Sequence, residues 1–252
     1  MPKVFLSPSN QFGNRYAYGN TNEGKMMGIV ANLLKTALIR CGINVLLMHD
    51  QSMAEKVKTA DNWGADLYLP IHSNACNKEV AGTRMFCWSK PGQGYSACMA
   101  IFKYLAPLTP GESESIKVDQ TLYEIKYPSA PVAYIEVDFH DVESVAKWIV
   151  NHTADIAEAI CHGVCDYFNI TYIAPVAKVE TCTVDLPVLR QGSNNGYVTT
   201  LQTMLNYKNK AGLSVDGAFG ALTRSALLAY QQKCNISKSG EADKATWSAL
   251  LK

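Results

Sequence analysis

Glu136 lies inside an apolar run, Tyr134-Ile135-Glu136-Val137, where a carboxylate is costly unless it is paired, tied to a metal or used in chemistry. His72 closes a second apolar run, Leu67-Tyr68-Leu69-Pro70-Ile71-His72, and Glu23 follows Asn22 where a long helical pattern begins. Carboxylates and imidazoles hold divalent cations and transfer protons. Taken singly, each also has an ordinary reading: a paired carboxylate, a strand-end histidine, an acid in the first turn of a helix. The other four of the five histidines are His49, which ends a strand and could line the same rim, His140 in Phe139-His140-Asp141, and His152 and His162 within a helical stretch, where solvated or core-edge roles are expected.

The elements that must position these residues alternate strand and helix. Strands are expected at 3–6, 44–49, 66–71, 83–88 and 132–139. Helices are expected at 26–40, 53–63, 95–105 and 142–168, the last in two pieces. Cys41-Gly42 ends the first helix. This alternation predicts an α/β fold, a largely parallel sheet with helices on both faces, whose ligands gather beyond the carboxyl ends of the strands. Residues 1–170 form one expected domain and 171–183, with Pro175 and no clear period, an expected linker. A small all-α domain of three short helices, at 197–207, 221–233 and 244–251, then occupies 184–252. No internal repeat is evident.

A chain of 252 residues, 48% hydrophobic and 18% charged, can bury a core. Its net charge of +1 gives no reason to expect nucleic acid. The tail from Cys182 onward is mildly basic, with eight Lys and Arg against four Asp and Glu. No apolar run is long enough for membrane insertion, and the start reads as a strand rather than a signal peptide, so synthesis in the cytoplasm is expected. The eight cysteines contain no C-x-x-C pair and read as small apolar thiols; Cys161-His162 with Cys165 could suggest a metal, but packing is the simpler expectation.

From Pro187 to Lys252 the motifs become specific: Leu189-Arg190-Gln191-Gly192, Leu201-Gln202, Val215-Asp216-Gly217-Ala218-Phe219-Gly220, Tyr230-Gln231 and Thr246-Trp247. This stretch resembles the peptidoglycan-binding domain 1 family. Val215-Asp216-Gly217 reads as a tight turn, and Phe219 and Trp247 supply bulk to a small core.

Residues 3–168 are similar to the zinc-amidase type 3 family of N-acetylmuramoyl-L-alanine amidases. The resemblance is carried by Asn22-Glu23, by Gly64-Ala65-Asp66 running to Ile71-His72-Ser73-Asn74-Ala75, and by Ala130-Pro131 running to Glu136-Val137-Asp138-Phe139. It implies one zinc ion bound by Glu23 and His72, with Glu136 as general base and then general acid. Three protein ligands and an open position would lower the pKa of bound water to about 7 and polarise a carbonyl. The family's first zinc-binding histidine, in a Pro-Gly-His-Gly-like turn, is absent; the turn here is Ser7-Pro8-Ser9-Asn10-Gln11. Gln11, Asn10 and His140 are the candidates for the missing ligand, and His140 is also a candidate catalytic residue stabilising the transition state. Asn74 and Glu124 are expected substrate contacts.

The resemblance implies hydrolysis of the amide between N-acetylmuramic acid and L-alanine in bacterial cell-wall peptidoglycan. Release by a holin or on lysis is expected, as for a phage endolysin or an autolysin. Two other readings stay open: a non-catalytic wall-binding protein, and a metallopeptidase acting on peptidoglycan cross-links.

Overall fold

A computed structural model describes residues 1–175 and 185–251. The chain divides into two compact units, Met1–Ala177 and Lys178–Lys252. Part of the expected linker, with Cys182, lies outside the described residues.

The first unit runs β1 (Lys3–Pro8), α1 (Glu23–Arg40), β2 (Asn44–Leu47), α2 (Met53–Trp63), β3 (Leu67–Asn74), β4 (Arg84–Cys87), α3 (Gln93–Leu105), β5 (Ser115–Val118), α4 (Tyr123–Lys126), β6 (Tyr134–Phe139), α5 (Glu143–Asn151) and α6 (Thr153–Tyr167). Caps set several ends: the Asn22 side chain accepts from Lys25 N before α1, and a Ser52–Glu55 capping box opens α2. Gly64, at φ 70°, closes α2 in the left-handed region.

The six strands lie in the order β2-β1-β3-β6-β4-β5. Every pair is parallel except β4 with β6, which is antiparallel. The segment 75–83 between β3 and β4 is too short for the crossover that a parallel return requires, so β4 comes back reversed. Two elements leave little trace in the sequence, the edge strand β5 and the single turn of α4.

Strand side chains alternate between faces. Val4, Leu6, Leu69, Ile71, Ile135 and Val137 point into the larger core, built with residues of α1, α3, α5 and α6. Phe5, Tyr68 and Tyr134 point the other way, against Val57 and Ala60 of α2 and Ile125 of α4. By the same alternation Ser7, His72 and Glu136 belong to this second face, toward the carboxyl ends of β1, β3 and β6.

The second unit contains α7 (Gly196–Asn209), α8 (Ala221–Lys233) and α9 (Lys244–Leu250). Leu189, Val198, Leu201, Leu205, Phe219, Leu227, Tyr230, Trp247 and Leu250 form its core. An internal repeat, not evident in the sequence, organises it. Gln202 accepts from Gly217 N at 3.0 Å and donates to Ala218 O and Thr223 Oγ1. Gln231 likewise accepts from Gly240 N at 3.0 Å and donates to Glu241 O and Thr246 Oγ1. Both glycines have positive φ. Each buried glutamine thus ties a glycine turn to the first turn of the helix that follows it.

Candidate active site

The turn after β1 and the ends of β3 and β6 meet at the start of α1. Glu23 is the first residue of α1 and almost fully buried; its backbone N donates to Asn14 O. Its Oε1 lies 2.9 Å from His72 Nδ1, and its Oε2 accepts from Asn14 Nδ2 at 2.8 Å. Burial pushes the Glu23 carboxyl up, but hydrogen bonds from His72, Asn14 and Ser9 outweigh it and hold the group below its usual range. Burial alone would lower His72; Glu124 and Glu23 beside it, with the charge of Glu136, instead raise it to about 9.

His72 and Glu136 are paired in register across β3 and β6. The His72 ring stacks on Tyr134, centroids 4.8 Å apart. Glu136 Oε2 is buried without a hydrogen-bond partner, and so is His72 Nε2. Burial raises Glu136 to about 8, with the His72 charge opposing the shift and Glu23 adding to it. A buried carboxylate oxygen without a partner marks a site prepared for something that supplies the missing contact.

The remaining expected site residues fall around this centre. Gln11 is exposed, and its Oε1 accepts from the same Asn14 amide nitrogen that Glu23 holds, at 2.7 Å. Asn10 turns outward to donate to Gln51 O. His140 is buried, its Nδ1 3.0 Å from Ser73 Oγ and its ring stacked on Tyr16, whose hydroxyl reaches the same Ser73 at 2.7 Å. Burial lowers the His140 pKa against the pull of Glu23, keeping the ring neutral at pH 7.

Asn74 caps its own turn through Oδ1 to Ala75 N and anchors His140 N with its carbonyl. Glu124, expected to face the cleft and touch substrate, is instead 4% exposed. Its Oε1 accepts from Ser7 Oγ and, at 2.8 Å, from Tyr68 OH. Ser7 and Tyr68 lie on strands that bury this face, so Glu124 is drawn inward.

Two residues outside the expected ligand set support the site. His49 Nε2 lies 3.0 Å from Ser9 O, and its ring packs where a side chain on Gly28 would sit. Buried Lys56 donates to Pro8 O at 2.8 Å. Both brace the turn that carries Ser9 to Gln11. The cavity lined by Met1, Asp66 and Pro131 opens at the amino ends of the strands and contains none of the site residues.

Two donors of the kind zinc takes, Glu23 Oε1 and His72 Nδ1, meet at 2.9 Å, a hydrogen-bond distance. Among the described residues no third His, Cys, Asp or Glu donor joins them. The one such threesome there is Cys41, Cys161 and Cys165, buried between α1 and α6. Burial raises the thiols of Cys161 and Cys165, in keeping with packed, protonated sulfur.

Residues 9–166 match the family model of N-acetylmuramoyl-L-alanine amidase. The chain belongs to this amidase family. A second model, a peptidoglycan binding domain, matches residues 194–250. Among curated proteins none matches the chain. The fold is similar to the catalytic domain of CwlV, an N-acetylmuramoyl-L-alanine amidase from Bacillus (Paenibacillus) polymyxa var. colistinus, at TM-score 0.62 and 17% identity, covering 68% of this chain and 100% of that one. It is also similar to the amidase AmiC2 of Nostoc punctiforme, at TM-score 0.58 and 16% identity, covering 67% and 97%. A third likeness is to the catalytic domain of the CD27L endolysin targeting Clostridia difficile, at TM-score 0.55 and 20% identity, covering 66% and 98%. The amidase therefore pairs a peptidoglycan amide hydrolase unit with a peptidoglycan-binding unit. No helix among the described residues is long and apolar enough to cross a membrane.

Proposed function

We propose that this amidase cleaves the bond between the lactyl group of N-acetylmuramic acid and L-alanine with one zinc ion, held by Glu23 and His72. The observation that carries this is the convergence of Glu23 Oε1 and His72 Nδ1 beside the unpartnered oxygen of Glu136. Gln11 is the third protein donor in this reading. Its Oε1 and Glu23 Oε2 already flank one amide nitrogen of Asn14, at 2.7 and 2.8 Å, where two oxygens seek a single positive partner.

When bound, zinc supplies a Lewis acid for the scissile carbonyl and brings the pKa of water to about 7. Glu136 accepts the proton of the attacking water and returns it to the departing amine of L-alanine. Its raised pKa suits both halves of that transfer, and a nearby cation favours the carboxylate needed for the first half. His140 is a neutral donor for the oxyanion that develops on the substrate carbonyl. One consistent proton order runs from Tyr16 OH to Ser73 Oγ to His140 Nδ1, which places the remaining proton on Nε2. Asn74 fixes the backbone on which His140 stands.

The C-terminal unit holds the enzyme on the wall, and its mildly basic balance suits an anionic surface. Release by a holin or on lysis fits such an enzyme acting on the wall. The test is hydrolysis of purified peptidoglycan: zinc-loaded protein liberates L-alanine amino groups without new reducing sugar. New reducing ends would show a glycosidase, and cleavage confined to cross-links would show a peptidase.

A further inference from the structure

Two carboxylates flank the His72 ring. Glu23 Oε1 meets Nδ1 at 2.9 Å, and Glu124 Oε2 lies 3.7 Å from Nε2. The second contact is an ion-pair distance, longer than a hydrogen bond, and Nε2 is buried with no other partner. A carboxylate this deeply buried is expensive unless it serves a charge. Glu124 is also immobilised. Ser7 and Tyr68, both fully buried, occupy its Oε1 from two adjacent strands, which turns Oε2 toward the ring. Tyr134 stacks on that ring and fixes its plane.

We infer that Glu124 is a positioning residue, whose charge, 3.7 Å from His72 Nε2, holds the proton on that nitrogen and thereby keeps the Nδ1 lone pair free for an ion bound with Glu23. This rests on the metal reading above. A ligating histidine whose far N–H meets a carboxylate is fixed in tautomer and orientation and is the more basic ligand. In this amidase the carboxylate comes from α4, a single turn remote in sequence, and β1 contributes only the hydroxyl of Ser7. Glu124 touches neither substrate nor metal; it acts through His72.

The experiment uses the full chain and the variants E124Q and E124D. Zinc affinity is measured by competition with a chromophoric chelator, and the His72 ring nitrogens of metal-free and zinc-loaded protein are followed by nitrogen NMR. In E124Q the expected loss of affinity is about 10- to 100-fold, with the Nε2 signal shifted away from its wild-type position. E124D, which keeps the charge on a shorter arm, recovers part of both. Unchanged affinity and ring signals in E124Q overturn the inference, even if that variant is less stable. Wild-type protein that takes up no zinc overturns the metal reading instead. The ring signals then still decide whether Glu124 sets the tautomer.

Discussion

His72 and Glu136 are register partners on adjacent parallel strands, so their side chains rise side by side from one face of the sheet. A ligand and a proton carrier held this way need no loop to bring them together. Glu136→Gln keeps the shape and removes the base. Turnover on peptidoglycan is expected to fall about 10²- to 10⁴-fold while zinc stoichiometry is retained, checked by amine release and metal analysis on the same sample. Retained turnover would reassign the base.

In the metal-free site His72 and Glu136 bind protons more tightly when folded. His72 rises from an ordinary 6.5 to about 9 and Glu136 from 4.5 to about 8. For a raised pKa the associated stability is complete below the unfolded value and is lost as pH rises through the folded one. Metal-free amidase therefore loses stability between about pH 4.5 and 8 through Glu136, and between about pH 6.5 and 9 through His72. Zinc competes with the His72 proton, so its apparent affinity climbs about tenfold per pH unit and levels off near pH 9. Thermal melts and chelator competition across this range check both slopes; a flat affinity profile would separate His72 from the metal.

Much of this arrangement was legible in the sequence, for identifiable reasons. Glu136 interrupts an apolar strand and His72 ends one, and period-two patterning shows such placements directly. Glu124 gave no such signal, because its partners Ser7, Tyr68 and His72 are brought to it by strand pairing and not by neighbouring sequence. Its inward place, against Ser7 and Tyr68, could not be read from the run around it. The turn at Asn10 and Gln11 was visible, yet where its side chains point depends on Asn14 and Gln51. The repeat in the second unit was hidden by unequal spacing. Gln202 lies 15 residues before its glycine and Gln231 only 9, so no fixed period exists to find.

That repeat makes a quantitative claim. Gln202→Ala leaves the buried Gly217 N–H and the Thr223 hydroxyl unsatisfied, and Gln231→Ala leaves the buried Gly240 N–H without its acceptor. Each is expected to destabilise the C-terminal unit by about 1–3 kcal/mol, with wall affinity falling in step. Denaturant titration of the full chain reads the two units as separate transitions, and only the C-terminal one should move. A loss confined to one glutamine would show that the two are not equivalent.

At Gly163, α6 packs directly against the backbone of α3. A Cβ there would fall on the backbone of Ile101 and within 2.7 Å of Ala100 O. Rigid backbone cannot yield as a side-chain tip can, so Gly163→Ala is expected to cost about 1–3 kcal/mol or more. The first unit's melting temperature should drop while the C-terminal transition stays in place. An unchanged melt would mean the two helices are not so tightly pressed.

The most direct measurement is the number of L-alanine α-amino groups released from purified walls by one preparation in three states: zinc-loaded, stripped by chelator, and stripped then resupplied with zinc. The account predicts release that disappears on stripping and returns with one equivalent of zinc per chain. Undiminished release from protein verified to contain no divalent ion would contradict it.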